Sequence, residues 1–357
     1  MNIKYFQHNL IFKKPSGTSR GILTEKPSWI LELTDENGKK GVGEFSVIPG
    51  LSPDFETLDL YVQKINDSIH HLESFISDVS VFSLDENYQF RDQAIRDFLE
   101  KLIDFPSLVF GFETAFLSLN SNDNCLFTNA FSLGKKQIPI NGLIWMGEKS
   151  FMQEQIQQKL ADGFQVIKMK IGAIDFETEL ALLTSIRERF SAEEITLRVD
   201  ANGAFSPEEA KEKLKQLKDL EIHSIEQPIA VNQWEALHEL CMLNDVPIAL
   251  DEELIGVHHR ADKIKLLETI QPPFIILKPS LHGGISGSFE WIQLAEERGI
   301  QWWITSALES SIGLNTIAQF TGEFQDLLPQ GLGTGGIYTN NFPTDLKVEN
   351  GFLKRLV

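Results

Sequence analysis

Two lysines and three carboxylates, each closing a short apolar run, are the residues of this chain whose types and spacing could do chemistry. The stretch from Phe164 to Ile171 reads Phe-Gln-Val-Ile-Lys-Met-Lys-Ile. As a strand it would alternate, with Val166, Lys168 and Lys170 on one face and Ile167, Met169 and Ile171 on the other. Later runs close in the same way: Leu197 to Asp200, Ile222 to Glu226, Val246 to Asp251 and Phe274 to Lys278. Lys170, Asp200, Glu226, Asp251 and Lys278 thus follow one another at about 25 to 30 residues, one strand plus one helix. Taken singly, each carboxylate reads as a helix cap or a solvated loop group, and each lysine as a solvent-facing strand residue. A shared position at strand ends is what would make them a site.

Three carboxylates brought together repel, and protonation or a cation relieves them. Oxygen ligands without Cys or His favour a hard ion, Mg2+ or Mn2+ in its place, held by Asp200, Glu226 and Asp251. Such an ion suits removal of a proton next to a carboxylate, because the enediolate left behind gathers charge on oxygens that a cation can hold. The base must be neutral. Lys170 meets this need because Lys168, on the same face, is a like charge that disfavours the protonated form. Lys278 would stand across the mouth as a second acid/base or a fixed cation. Lys168 would tune Lys170 or hold the substrate carboxylate, without transferring a proton itself.

These groups can meet only if the strands that end in them are parallel neighbours. From Ile138 onward the sequence alternates strand and helix: Ile138 to Leu143, Phe164 to Lys170, Ile195 to Asp200, Ile222 to Glu226, Val246 to Asp251, Phe274 to Lys278, Ile300 to Thr305 and a weaker run from Leu328 to Leu332. Ser206-Pro207-Glu208-Glu209 predicts a capped helix start, and Gly163 a helix end. Eight such units predict an α/β chain whose parallel strands close into a (β/α)8 barrel over residues 131–332, with the polar strand ends at one mouth. Residues 1–130 lack that period and read as a small α+β unit. Asn37-Gly38 predicts a hairpin turn there, Ser52-Pro53 a helix start running through Phe55 to Phe75, and further helices cover 87–103 and 108–119. The tail, 333–357, is expected to return to that first unit.

Composition narrows the partners. Acidic residues outnumber basic ones 51 to 32, for a net charge of −19, which argues against nucleic acid or an anionic membrane and leaves a small anionic carboxylate as substrate. Two cysteines make neither a disulfide framework nor a thiolate cluster, and no long apolar stretch is present, so a cytoplasmic protein is expected. Asp200-Ala201-Asn202-Gly203 is not a calcium loop, since its glycine comes too early and Lys211 takes the closing glutamate's place. Asn202 reads equally well as a group behind the site or as a turn residue. Gly331, Gly333 and Gly336 are spaced like a dinucleotide fingerprint but no helix follows, and adjacent His258 and His259 do not face each other on a helix.

At these residues the chain resembles the enolase superfamily, and within it the muconate-lactonising subgroup. Lys168-Met169-Lys170, Arg198-Val199-Asp200-Ala201-Asn202-Gly203, Glu226-Gln227-Pro228, Asp251-Glu252 and Lys278-Pro279 are similar, in order, to its barrel-strand motifs. The resemblance implies the family's modified barrel with an N-terminal α+β capping domain, and its lysine and Mg2+ chemistry. Gly41 to Ser46, Pro49 to Ser52 and Ser310 to Gly313 look like those of a dehydrating branch. That likeness implies syn elimination of water from a succinyl-hydroxycyclohexadiene carboxylate, with Lys170 as base and Lys278 as cation. Loop contacts are expected from Arg20, Gly50, Leu51, Ser52, Asn202, Ser310, Ser311 and Gly333. An N-acylamino acid racemase or dipeptide epimerase would use the same lysines. The epimerases' Asp-x-Asp is missing where the chain reads Gly331-Leu332-Gly333-Thr334-Gly335-Gly336. A non-catalytic carboxylate-binding barrel would need neither lysine as a base, and a Schiff-base aldolase would leave the carboxylates idle.

Overall fold

The structure, a computed structural model, describes residues 1–18, 21–79 and 82–357. The chain opens with an antiparallel sheet in the order β1 (Asn2–Thr18), β2 (Gly21–Thr34) and β3 (Lys40–Ser46). The predicted Asn-Gly turn joins β2 to β3: Asp35 Oδ1 accepts the N–H groups of Asn37 and Lys39, and Gly38 takes a φ of +80°. Three helices follow, α1 (Leu58–Glu73), α2 (Gln93–Glu100) and α3 (Pro106–Asn120). α3 is buried along almost its whole length against the sheet, where Gly43 leaves no space for a Cβ beside the Gly111 carbonyl.

Two helix starts differ from expectation. Ser52 Oγ accepts from Ile48 N–H at 2.8 Å and closes a turn, so Thr57 caps α1 instead. Asp54, two residues on, is bound by the backbone and hydroxyl of Ser107, and the segment runs as turns between these anchors. The 87–103 stretch becomes helical only at Gln93, under an Asp92 cap, because a bridge between Leu84 and Phe90 holds the residues before it.

The second unit alternates strand and helix: β4 (Ile138–Pro139), β5 (Gly142–Ile144), α4 (Lys149–Ala161), β6 (Val166–Lys170), α5 (Phe176–Arg187), β7 (Thr196–Asp200), α6 (Pro207–Lys218), β8 (Ser224–Glu226), α7 (Trp234–Leu243), β9 (Ile248–Leu250), α8 (Arg260–Ile270), β10 (Phe274–Leu277), α9 (Gly284–Glu296), β11 (Gln301–Ile304) and α10 (Ser311–Thr321). β5 to β11 form one curled parallel sheet of seven strands. The strand faces turned to the helices are apolar; Ile167, Met169, Leu197, Val199 and Ile225 are fully buried, each worth about 1.5–3 kcal/mol. α6 carries the predicted capping box, Ser206 and Glu209 each satisfying the other's backbone.

The barrel closes differently from a ring of eight equal strands. The predicted first strand is split: β5 joins the parallel sheet, while β4 pairs antiparallel with the chain's last strand. The predicted eighth strand is a segment held by single bridges, Gln330 to Ile140 and Gly331 to Thr305. Inside, buried Arg198 lies 4.1 Å over the Trp303 ring and donates to Pro329 O at 2.7 Å, tying that segment from within. Residues 337–340 then run along β1, with Lys13 N–H donating to Ile337 O and Thr339 N–H to Ile11 O. Finally β12 (Leu346–Glu349) and β13 (Phe352–Arg355) make a hairpin against β4. Among the described residues no helix is long and apolar enough to cross a membrane.

Candidate active site

Parallel register sets the polar groups side by side. Lys170 lies opposite Asp200 on the neighbouring strand, and Asp200 opposite Glu226; Lys168, one step deeper, lies opposite Arg198. Asp251 and Lys278 directly follow β9 and β10. The side chains meet. Lys168 Nζ donates to Glu226 Oε2 at 2.6 Å and Asp200 Oδ2 at 3.1 Å, Lys170 Nζ reaches the same Asp200 oxygen at 3.0 Å, and Lys278 Nζ contacts both oxygens of Asp251 at 2.6 Å. Asp200 therefore stands between the two lysines of β6, where the sequence alone suggested only their mutual repulsion.

The electrostatics follow from burial and these partners. Burial pulls the Lys168 ammonium down, but Glu226 and Asp200 outweigh it and hold the group charged above its usual range. Lys278 shows the same contest, burial against Asp251 and Glu252, with the same outcome. Burial pushes Asp200 up, yet Lys170 and Lys168 together bring it below the carboxylate range. Glu226 stays raised, mainly by burial, with Asp200 and Asp251 adding to it against Lys168.

Asn202 does more than turn the chain. Its backbone is left-handed, φ +44°; Oδ1 accepts from Lys170 Nζ at 2.6 Å and Nδ2 donates to Glu252 Oε1 at 3.0 Å. Glu252 thus fixes which face of the amide Lys170 meets. Sequence marks it only by its place directly after Asp251.

Ammonium groups hold the three carboxylates, and among the described residues no three acidic, imidazole or thiol groups are gathered round a common cation position. The donor set nevertheless fits a hard cation: it is all oxygen, and Glu226 Oε1 is buried with no partner. Asp200, Glu226 and Asp251 would hold such an ion by exchanging lysine partners for it.

Lys168, Lys170, Asp200, Asn202, Asp251 and Lys278 floor a cavity of 180 Å³ at the barrel mouth, while Glu226 is fully buried behind them and does not line it. Its walls also include Leu51 and Gly333. The other expected loop residues are elsewhere. Gly50 is an exposed turn residue beside the rim and Ser52 is spent on the Ile48 turn. Ser310 caps α10 and donates to Glu44, and Ser311 faces a separate cavity, so both sit behind the wall. Arg20 lies outside the described residues. The roof is Leu23, Ile48, Trp145, Leu308 and Ile337, apolar residues that sequence gives no means of telling from core.

A family model described as enolase C-terminal domain-like matches residues 151–355, which include all of these strand-end groups. The chain belongs to the enolase superfamily. Among curated relatives, the o-succinylbenzoate synthase of Desulfotalea psychrophila is 48% identical over 99% of this chain and 98% of its own length. The crystal structure of MenC from the same organism superposes with a TM-score of 0.81 at 43% identity, covering 99% of both chains. The substrate-liganded L-Ala-D/L-Glu epimerase of Bacillus subtilis shares the fold, with a TM-score of 0.79 at 21% identity over 100% of this chain and 96% of its own. In this superfamily setting the N-terminal antiparallel sheet is the capping domain, and Leu23, Ile48 and Leu51 are its contribution to the cavity.

Proposed function

We propose that the chain is a hydro-lyase with o-succinylbenzoate synthase activity: it removes water from 2-succinyl-6-hydroxy-2,4-cyclohexadiene-1-carboxylate to give 2-succinylbenzoate, a step toward menaquinone. The observation that carries this reading is full-length likeness, at 48% identity, to a synthase of that name. Lys170 takes the proton next to the substrate carboxylate and returns it to the hydroxyl leaving from the same face, so one amine serves both halves of a syn elimination. Asn202 Oδ1, held by Glu252, accepts one N–H of Lys170 and so sets the direction of its lone pair without adding charge. Lys278 remains a cation over the other face. Lys168 faces the substrate carboxylate and stays out of proton transfer. A divalent cation on Asp200, Glu226 and Asp251, Mg2+ by its preference for oxygen, would neutralise the charge that develops on the substrate carboxylate. The apolar roof excludes water and accepts the ring. A reducing cytoplasmic setting accords with two unpaired cysteines.

The test is an assay of the purified protein with the cyclohexadiene substrate and with N-succinyl amino acids, each with Mg2+ and with chelator. Aromatisation that depends on Mg2+ is expected; turnover of the N-succinyl amino acids alone would replace dehydration by racemisation.

A further inference from the structure

We propose that Tyr338 is a positioning residue for the cavity wall, and that its hydroxyl ties the seating of the capping domain to the shape of the substrate pocket. The proposal rests on the cavity being the site of turnover, as argued above.

The starting observation is Leu308. It lines the cavity just after the seventh strand, and its φ is +62°, a left-handed conformation that suits glycine or asparagine and crowds a leucine side chain against the backbone. A residue stays there only where its surroundings over-determine it. Three holds are present. Leu308 N–H donates to Ser306 Oγ at 3.2 Å, and Ser306 Oγ shares a hydrogen bond with Thr334 Oγ1. Two residues on, the backbone and hydroxyl of Ser310 are bound by Glu44 of the capping sheet. The third hold acts on the other end of the Leu308 backbone: Tyr338 Oη donates to its carbonyl at 2.6 Å, in a buried contact across 30 residues of sequence.

Tyr338 belongs to two parts of the molecule at once. It bridges Phe12 of β1, its ring meets the Phe12 ring edge-on at 4.9 Å, and the residues on either side of it hydrogen-bond to Ile11 and Lys13. It is therefore carried by the capping sheet while holding a wall of the barrel mouth. Leu10, Phe12 and Ile48 of the cap and Leu281, Ala307 and Leu308 of the barrel mouth also gather round Tyr338 in a small apolar cluster separate from the main core. The cluster therefore spans the seam between cap and barrel mouth. When β1 is seated, Tyr338 draws the Leu308 carbonyl outward and presents the leucine side chain to the substrate; when β1 lifts, the strained leucine is released. The pocket wall is thus complete only under a docked cap.

Tyr338→Phe tests this, since it keeps the ring against Phe12 and removes only the hydroxyl. The expected result is a rise in KM for the cyclohexadiene substrate of roughly tenfold, the size of one lost buried hydrogen bond, with kcat within about twofold. A second arm places Tyr338→Phe in a Leu308→Gly background. Glycine takes the left-handed conformation without strain and keeps the carbonyl, so losing the hydroxyl releases no strain to offset the lost bond, and the fall in melting temperature caused by Tyr338→Phe should be larger there than in the parent. An unchanged KM, or an equal fall in both backgrounds, would overturn the proposal by reducing Tyr338 to an ordinary packing residue. If the parent protein does not turn the substrate over, the dehydratase reading fails, while the melting cycle, which needs no substrate, still decides whether Tyr338 holds Leu308.

Discussion

Replacing Lys278 by methionine probes the site's charge balance more directly than any loss-of-activity variant. Lys278 and Asp251 are both buried, and the ammonium contacts each carboxylate oxygen at 2.6 Å. Methionine keeps the apolar stem and deletes the charge, leaving Asp251 buried beside Glu252, which burial and Asp251 already hold above the normal carboxylate range. Breaking one side of a buried pair costs about 3–5 kcal/mol. In chelator, Lys278→Met should therefore unfold in urea with a stability lower by about that amount. The same deletion removes the group that competes with a cation for Asp251. Saturating Mg2+ should stabilise the variant more than it stabilises the parent, against a reference gain of about 2.7 kcal/mol for a ligand at a hundred times its Kd. Turnover should fall by roughly 10²–10³, the usual cost of losing one charge-stabilising group. Urea melts with and without Mg2+ read the first two effects. Equal stability of variant and parent in chelator, or an equal Mg2+ gain in both, would refute the idea that Lys278 and the cation exchange places on Asp251.

Other outcomes follow from the same geometry. Lys170→Ala should keep Mg2+ binding, measured by calorimetry, and lose turnover by several powers of ten (roughly 10³ or more); Asp200→Ala should lose Mg2+ binding first. Substantial residual dehydration by Lys170→Ala would remove the base from the mechanism. Glu113 of α3 accepts from the start of α9 and from the Ser286 hydroxyl, and burial, against those hydrogen bonds, pushes its carboxyl up to about 7. The folded state therefore binds this proton more tightly than the unfolded chain, so the contribution of Glu113 to stability is full below the ordinary glutamate range and is lost, by about 3 kcal/mol, as pH rises from there to about 7. Glu113→Gln should flatten that part of the stability curve in denaturant melts, and an unchanged slope would assign it to other groups.

Sequence alone determined the elements that have local causes. Alternation set Lys168 and Lys170 on one strand face, Ser206 and Glu209 closed a capping box, and Asp35 with Asn37-Gly38 made a hairpin turn, because each depends on residues within a few positions. Regular spacing of polar strand ends also sufficed to infer parallel neighbours with their side chains at one mouth. What tertiary structure decided has causes distant in the chain. Ser52 reads as a helix cap until Ile48 claims its hydroxyl, and Ile138 to Leu143 reads as one strand until β13 pairs with its first half. Ser310 and Ser311 sit near the mouth in sequence, but Glu44 and Asn341 engage them behind the wall. The cavity roof is not legible in sequence because Leu23, Trp145 and Leu308 are apolar, and an apolar side chain gives the same signal whether it fills a core or faces a substrate. Which of the two it does depends on where the capping domain comes to rest, a long-range packing result that no local pattern encodes.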